Sequence, residues 1–236
     1  MNFYQLLILQ FIAHLISDFT FQPERMAIDK NALGFRSKYL KWHIFITFIT
    51  SWIFSFQLSF VFASFAIAVL HWLEDGVKKY FTDHKGMGKY SFFTDQAIHI
   101  IVITAIVFLY NRYFELQPVF NILLSIKFLL IIASLIFCAK PANIFIKEII
   151  RAFEIQPNNA GNDDLPNAGK LIGIIERFLV LIFIIINQFE AVGFLIAAKS
   201  ILRFKDDNTI KTEYVLVGTM LSFGMAIILG IAINLV

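Results

Sequence analysis

Long apolar stretches recur along the whole chain, and they leave a lipid bilayer as the natural solvent for it. Candidate spans lie at about 3–21, 40–57, 60–79, 92–111, 119–138, 171–188, 190–204 and 213–235. Each approaches the ~20 residues a helix needs to cross the hydrocarbon layer, the seventh being short. Hydrophobic residues make up 58% of the 236 positions and charged residues 16%, against roughly 45–50% and 25% in soluble domains. The expected fold class is all-α, a polytopic integral membrane bundle of about eight spans. A net charge of +3 is weak evidence for nucleic acid, so the bilayer is the expected partner and no nucleic acid is. The single cysteine, Cys138, makes no intrachain disulfide. The first apolar stretch has no positive leader and carries His14 and Asp18 where a cleavage site would lie, so it is read as a retained span.

Lysine and arginine mark a sidedness. They cluster between spans 1 and 2 (Arg25, Lys30, Arg36, Lys38, Lys41), between 3 and 4 (Lys78, Lys79, Lys85, Lys89), between 5 and 6 (Lys140, Lys147, Arg151, Lys170) and around the link from 7 to 8 (Lys199, Arg203, Lys205, Lys211). The other links are nearly free of basic residues apart from Arg112. The positive-inside rule then places these links in the cytoplasm and both termini outside. Three regions are expected: an N-terminal membrane bundle over 1–138, a cytoplasmic linker over 139–170, and C-terminal membrane helices over 171–236. In the linker, Pro141 breaks a helix, 142–154 fit a short amphipathic helix, and 156–169 are turn formers.

The chemistry-bearing residues lie in the first half. His14 and Asp18 are four apart, hence on one helix face, and His71 and Asp75 repeat that spacing. His43 follows the first pair and His99 the second at nearly equal distance, which predicts a parallel internal repeat of two-helix units. Asp95 shares a face with His99, and Gln22 and Gln96 extend the two motifs. Asp18, Asp75 and Asp95 would each cost about 2.5–3.5 kcal/mol in a bilayer. No lysine or arginine is expected at their depth, and His43 looks shallow. A divalent cation would offset that cost, and imidazole and carboxylate are ordinary ligands for zinc, manganese or iron. The expected ligands are His14, Asp18, His43, His71, Asp75 and His99 around one or two ions. Asp95 is then the bridging ligand or general base, and Gln22 and Gln96 support the ligands. Haem fits less well, because an axial histidine does not need a carboxylate four residues away. His84 is expected to be solvated.

In the second half Arg177, Lys199 and Arg203 stand at helix ends facing the basic side. They read either as snorkelling boundary charges paired with Glu176 and Glu213 or as a clamp for a phosphate or carboxylate. Gly173 and Gly218 suit close helix packing. Lys85-Gly86-Met87-Gly88-Lys89 is a weak phosphate-loop signal.

The segments His14-Leu-Ile-Ser-Asp18-Phe19-Thr-Phe-Gln22-Pro23, Lys30, His43, His71-Trp-Leu-Glu-Asp75 with Lys78, and Asp95-Gln96-Ala-Ile-His99 together resemble an uncharacterised bacterial membrane-protein family, domain of unknown function 3307. The patterns at Gly173–Arg177, Lys199–Phe204 and Glu213–Thr219 look like its companion region. The resemblance implies a multi-pass protein of the bacterial inner membrane and assigns no activity. A looser similarity is to membrane-bound metal-dependent hydrolases, at the level of fold analogy. The residues themselves favour a metal-dependent enzyme at the cytoplasmic face, hydrolysing or transferring a phosphorylated or ester-linked amphiphile. A metal-ion or proton-coupled transporter or channel is the alternative, followed by a non-catalytic membrane scaffold.

Overall fold

A computed structural model describes residues 1–82, 88–120, 124–155, 168–203 and 209–236, with the backbone alone at 81, 202–203 and 209–212. Every regular element among the described residues is helical: α1 (Phe3–Leu15), α2 (Glu24–Leu33), α3 (Lys38–Ser55), α4 (Val61–Thr82), α5 (Ser91–Tyr113), α6 (Ile126–Cys138), α7 (Lys140–Ala152), α8 (Ala168–Ile185), α9 (Phe189–Arg203) and α10 (Thr209–Asn234), with short 3₁₀ turns and one π turn. The chain divides into two compact units, Met1–Ile136 and Phe137–Val236. The helix expected within the 139–170 link, α7, belongs to the second.

In the first unit α1, α3, α4 and α5 form a closed ring in which each helix packs on two neighbours, and α2 lies against α3 and α4. The ring follows from stripes at three- or four-residue spacing, which keep one face of each helix inward. On α1 and the turn that continues it the stripe is Leu6, Gln10, His14 and Asp18; on α5 it is Asp95, His99, Ile103 and Val107; on α4, Ser64, Ala68, His71 and Asp75; on α3, His43, Thr47, Ser51 and Ser55. All of these are buried.

Polarity is graded along the ring. One end is an apolar core of Leu6, Phe60, Ile67, Ile103, Val107 and Tyr110. A hydrogen-bonded layer follows, in which Gln10 Nε2 donates to the Ser51 carbonyl (3.0 Å) while the Ser51 hydroxyl lies 2.6 Å from Gln10 Oε1 and 3.1 Å from Ser64 Oγ. The histidines and aspartates fill the other end, where α1 and α4 finish and α3 and α5 begin. There α1 relaxes into a π turn, Ile16–Thr20, closed by the Phe21 N–H on the Ile16 carbonyl (3.0 Å). Such single turns often mark functional positions, and this one carries Asp18.

Among the described residues, four helical segments are long and apolar enough to cross a bilayer: Phe3–Thr20, Leu58–Tyr80, Gly88–Tyr113 and Glu213–Asn234. The pair α6 and α7, bent by 54°, makes up to five. This is consistent with a membrane protein, but it falls short of the eight spans expected. The expected span at 40–57 is α3, whose Lys38, Lys41, His43 and hydroxyl residues dilute its apolarity. That at 171–188 is α8, which holds Lys170, Glu176 and Arg177. That at 190–204 is α9, 15 residues long and so about 22 Å at 1.5 Å per residue. Within 119–138 the described helix is α6, 13 residues long, before the bend.

In the second unit α8 packs on α7, α9 and α10, and α7 also on α10. Gly230 lets α10 approach α8 closely, since a Cβ there would stand 2.6 Å from Ile184. Where α6 breaks into α7, backbone carbonyls lose their helical partners. Arg177, only 1% exposed, supplies replacements. Its Nε donates to the Cys138 carbonyl (2.7 Å), and its terminal nitrogens donate to the Ala139 carbonyl (3.2 Å), Asn143 Oδ1 (2.8 Å) and Ser222 Oγ (3.0 Å).

Candidate metal centre

The helix ring brings all four histidines and all three aspartates singled out in the first unit into one cluster, each at most 7% exposed. At its middle, His43 from α3 and His71 from α4 set their Nε2 atoms 2.9 Å apart. His43 is 1% exposed, with α2 packed against α3 and α4. Asp18 Oδ1 lies 3.6 Å from both Nε2 atoms, and Asp75 Oδ2 lies 3.6 Å from His43 Nε2 and 3.4 Å from His71 Nε2. Ligand atoms on a tetrahedral cation at ~2.1 Å stand about 3.4 Å from one another; His43, His71 and Asp75 meet that spacing together, and Asp18 Oδ1 lies against the same two nitrogens.

Histidines flank this core on either side, and each has its outer nitrogen fixed. His14 Nε2 lies 3.2 Å from Gln96 Oε1, while the Gln96 amide nitrogen points to Asp95 Oδ2 (3.4 Å). The amide oxygen makes His14 Nε2 the N–H, so neutral His14 turns a lone pair on Nδ1 toward Asp18 Oδ1, 3.4 Å away. His99 does the same through its other atom. Its Nδ1 is hydrogen-bonded to Glu74, which leaves Nε2 facing Asp95 Oδ1 (3.6 Å) and Asp75 Oδ1 (3.9 Å). His14 Nδ1, His99 Nε2 and Asp75 Oδ1 are buried without a hydrogen-bond partner. Three overlapping groups fit a cation: His14, Asp18 and His71; His43, His71 and Asp75; Asp75, Asp95 and His99.

Lysines do reach the cluster, contrary to the expectation that none lies at this depth. Lys30 Nζ is 2.7 Å from Asp75 Oδ2, and Lys78 Nζ is 2.7 Å from Asp95 Oδ2. Lys30 sits on α2, which folds back against the ring. Lys78 sits on α4 one turn beyond Glu74. The seat of α2 is made by two glycines. Gly34 has φ +55°, and a Cβ there would meet the Gly76 carbonyl at 2.8 Å. A Cβ on Gly76 would stand 2.1 Å from the nearest carbon of the Phe35 ring, which in turn packs edge-on against Trp72. Lys30, Lys78, Glu74 and Gly76 carry roles that spacing alone did not assign them. The lysines resembled ordinary link charges. Glu74 had a usable signal, an acid inside a span three residues after His71. Gln96 makes the two contacts given above, and Gln22 is buried.

The second-half basic residues divide differently. The Arg177 guanidinium is committed to the α6–α7 break, and Lys199 pairs with Glu176. The Arg203 side chain, His84 and most of the Lys85–Lys89 loop lie outside the described residues.

A family-wide sequence profile described as "Protein of unknown function (DUF3307)" matches residues 6–127, a stretch that contains the whole cluster. No curated protein and no solved structure matches the chain.

Proposed function

Because the chain belongs to the DUF3307 family of proteins of unknown function, its chemistry has to be read from the centre itself, and we propose that it is a membrane-embedded metal-dependent enzyme. One observation carries this reading: five of the six separations among His43 Nε2, His71 Nε2, Asp18 Oδ1 and Asp75 Oδ2 fall between 2.9 and 3.6 Å. Charge supports it. Asp18, Glu74, Asp75 and Asp95 bring four negative charges, Lys30 and Lys78 offset two, and one divalent cation would neutralise the remainder.

A zinc, manganese or iron ion bound here would supply Lewis acidity to a water or to the substrate's oxygen. His43, His71, Asp18 and Asp75 would hold it, with His14 and His99 as further candidate ligands. Glu74 and Gln96 fix their ring orientations, as carboxylates and amides do behind many metal-bound histidines. Asp95 is the base. It takes a proton from water as the water oxygen bonds to the phosphorus or acyl carbon, and that proton passes to the ester oxygen whose bond breaks. A phosphorylated or ester-linked amphiphile is the substrate class. The finer topology belongs to the same proposal: eight spans, a parallel duplication pairing His14, Asp18 and His43 with His71, Asp75 and His99, and a centre on the cytoplasmic side of a bacterial inner membrane.

The test is turnover of alkyl phosphates and acyl esters by protein loaded with each metal. Asp95→Asn is expected to abolish turnover while retaining the ion. Metal-independent turnover, or full activity in Asp95→Asn, would refute the proposal. The transporter alternative predicts flux in proteoliposomes. The apolar core at Leu6, Phe60, Ile103 and Val107, which closes the ring beyond the Gln10–Ser51 layer, weighs against it.

A further inference from the structure

Asp75 turns its two oxygens to different neighbours. Oδ2 carries the contacts to Lys30, His43 and His71. Oδ1 has no hydrogen-bond partner, and neither does His99 Nε2, 3.9 Å from it. Asp75 is 0% exposed and His99 1%, and a buried polar atom left without a partner is costly. Both atoms are acceptors. Glu74 takes the hydrogen bond from His99 Nδ1, which leaves a lone pair on Nε2 of the neutral ring. Two acceptors cannot satisfy each other, and a cation meets both. Asp95 adds a third ligand atom. Its Oδ2 is held by Lys78 at 2.7 Å, while its Oδ1 lies 3.6 Å from His99 Nε2. Each of the three side chains places a ligand atom within 4.8 Å of the other two.

We infer that Asp75 Oδ1, Asp95 Oδ1 and His99 Nε2 form a second, weaker site for a divalent transition-metal ion, and that filling it inhibits the centre. The inference rests on the metal-enzyme reading, in which the other oxygen of Asp75 serves the first ion and Asp95 is the base. Charge makes the second ion the weaker one. The first ion, with Lys30 and Lys78, already balances Asp18, Glu74, Asp75 and Asp95, so a second brings surplus charge into a buried place. Spacing agrees. The separations of 3.6 and 3.9 Å from His99 Nε2 are wider than the 2.9, 3.4 and 3.6 Å among His43, His71 and Asp75. Access is separate. A cleft of about 320 Å³ between α4 and α5 is lined by Glu74, Lys78, Ser91, Thr94 and Asp95, so Asp95 borders cleft and cluster alike. The inhibition follows from the same carboxylate. An ion on Asp95 Oδ1 takes the lone pair that would accept a proton, and Oδ2 is already held by Lys78. Surplus metal therefore slows the reaction that the first ion enables.

The experiment titrates manganese chloride into the full chain in nanodiscs, with bound ion counted by equilibrium dialysis and followed by electron paramagnetic resonance. The parent is expected to take two ions, the second at least about tenfold more weakly than the first and lost on dialysis against a weak chelator. The resonance of the singly loaded chain should change as the second ion, joined to the first through Asp75, couples to it. Asp95→Asn and His99→Gln are expected to stop at one ion. Turnover of an alkyl phosphate by the parent should fall over the manganese range in which the second ion binds. A parent that saturates at one ion, a second ion with no coupling to the first, or folded variants that still take two would overturn the site and leave the metal reading in place. Turnover that holds steady as the second ion binds would overturn the inhibition. Two coupled ions with no turnover at any loading would leave the site standing and sink the enzyme reading, and a parent that binds no ion would sink both.

Discussion

Asp75 is where the contacts of the first unit converge. Its Oδ2 meets Lys30, His43 and His71, and its Oδ1 faces His99. Removing it leaves Lys30 charged and buried, and breaking one side of a buried pair costs about 3–5 kcal/mol. Asp75→Leu is expected to lower the thermal unfolding midpoint accordingly. Lys30→Met combined with Asp75→Leu should recover most of that loss, because it removes both charges, while leaving the protein unable to hold metal. Recovery of metal binding in the double variant would contradict the assignment. Glu74 acts at one remove, through the His99 ring. Glu74→Gln is expected to weaken metal affinity by about 10–100-fold with an unchanged unfolding midpoint, measured by chelator competition.

Two departures from the straight α-helix do most to shape the elements. The π turn at Ile16–Thr20 carries Asp18, which is buried. Deleting Ser17 rotates Asp18 about 100° relative to His14, so metal content should fall while helicity by circular dichroism is retained. Metal content equal to the parent's would show that the turn does not matter. The break between α6 and α7 is held by Arg177. Lysine there keeps the charge but lacks the fork needed for several acceptors. Arg177→Lys is expected to cost about 1–3 kcal/mol through unsatisfied carbonyls and to leave metal content unchanged.

How far these features can be read in the chain differs between them. Four-residue spacing is enough to predict that His14 joins Asp18 and His71 joins Asp75, because a helix puts such pairs on one face. It also carries His99 and Asp95. The π turn is invisible in spacing, since it changes the hydrogen-bond register without changing residue type. Lys30 was hidden for another reason: a link lysine reads as solvated until the chain folds back, and that return depends on Gly34 and Gly76 touching across elements distant in sequence. Arg177 offers both a clamp for an anion and a boundary charge by position alone, and only the helix break shows which acceptors it takes.

At the scale of the whole molecule, the first unit is a helix ring whose polarity rises from an apolar core at one end to a buried cluster of acids and imidazoles at the other. Such a cluster is costly in a bilayer unless its charge is met, and the two lysines meet half of it. The central claim is that a divalent cation meets the rest. Elemental analysis of the purified chain tests this most directly, made on the parent and on Asp18→Asn and His43→Gln after dialysis against a weak chelator. The expected result is about one zinc, manganese or iron ion per parent chain and almost none in either variant. A parent free of transition metal that stays folded and cannot be loaded, or variants that hold as much metal as the parent, would contradict it.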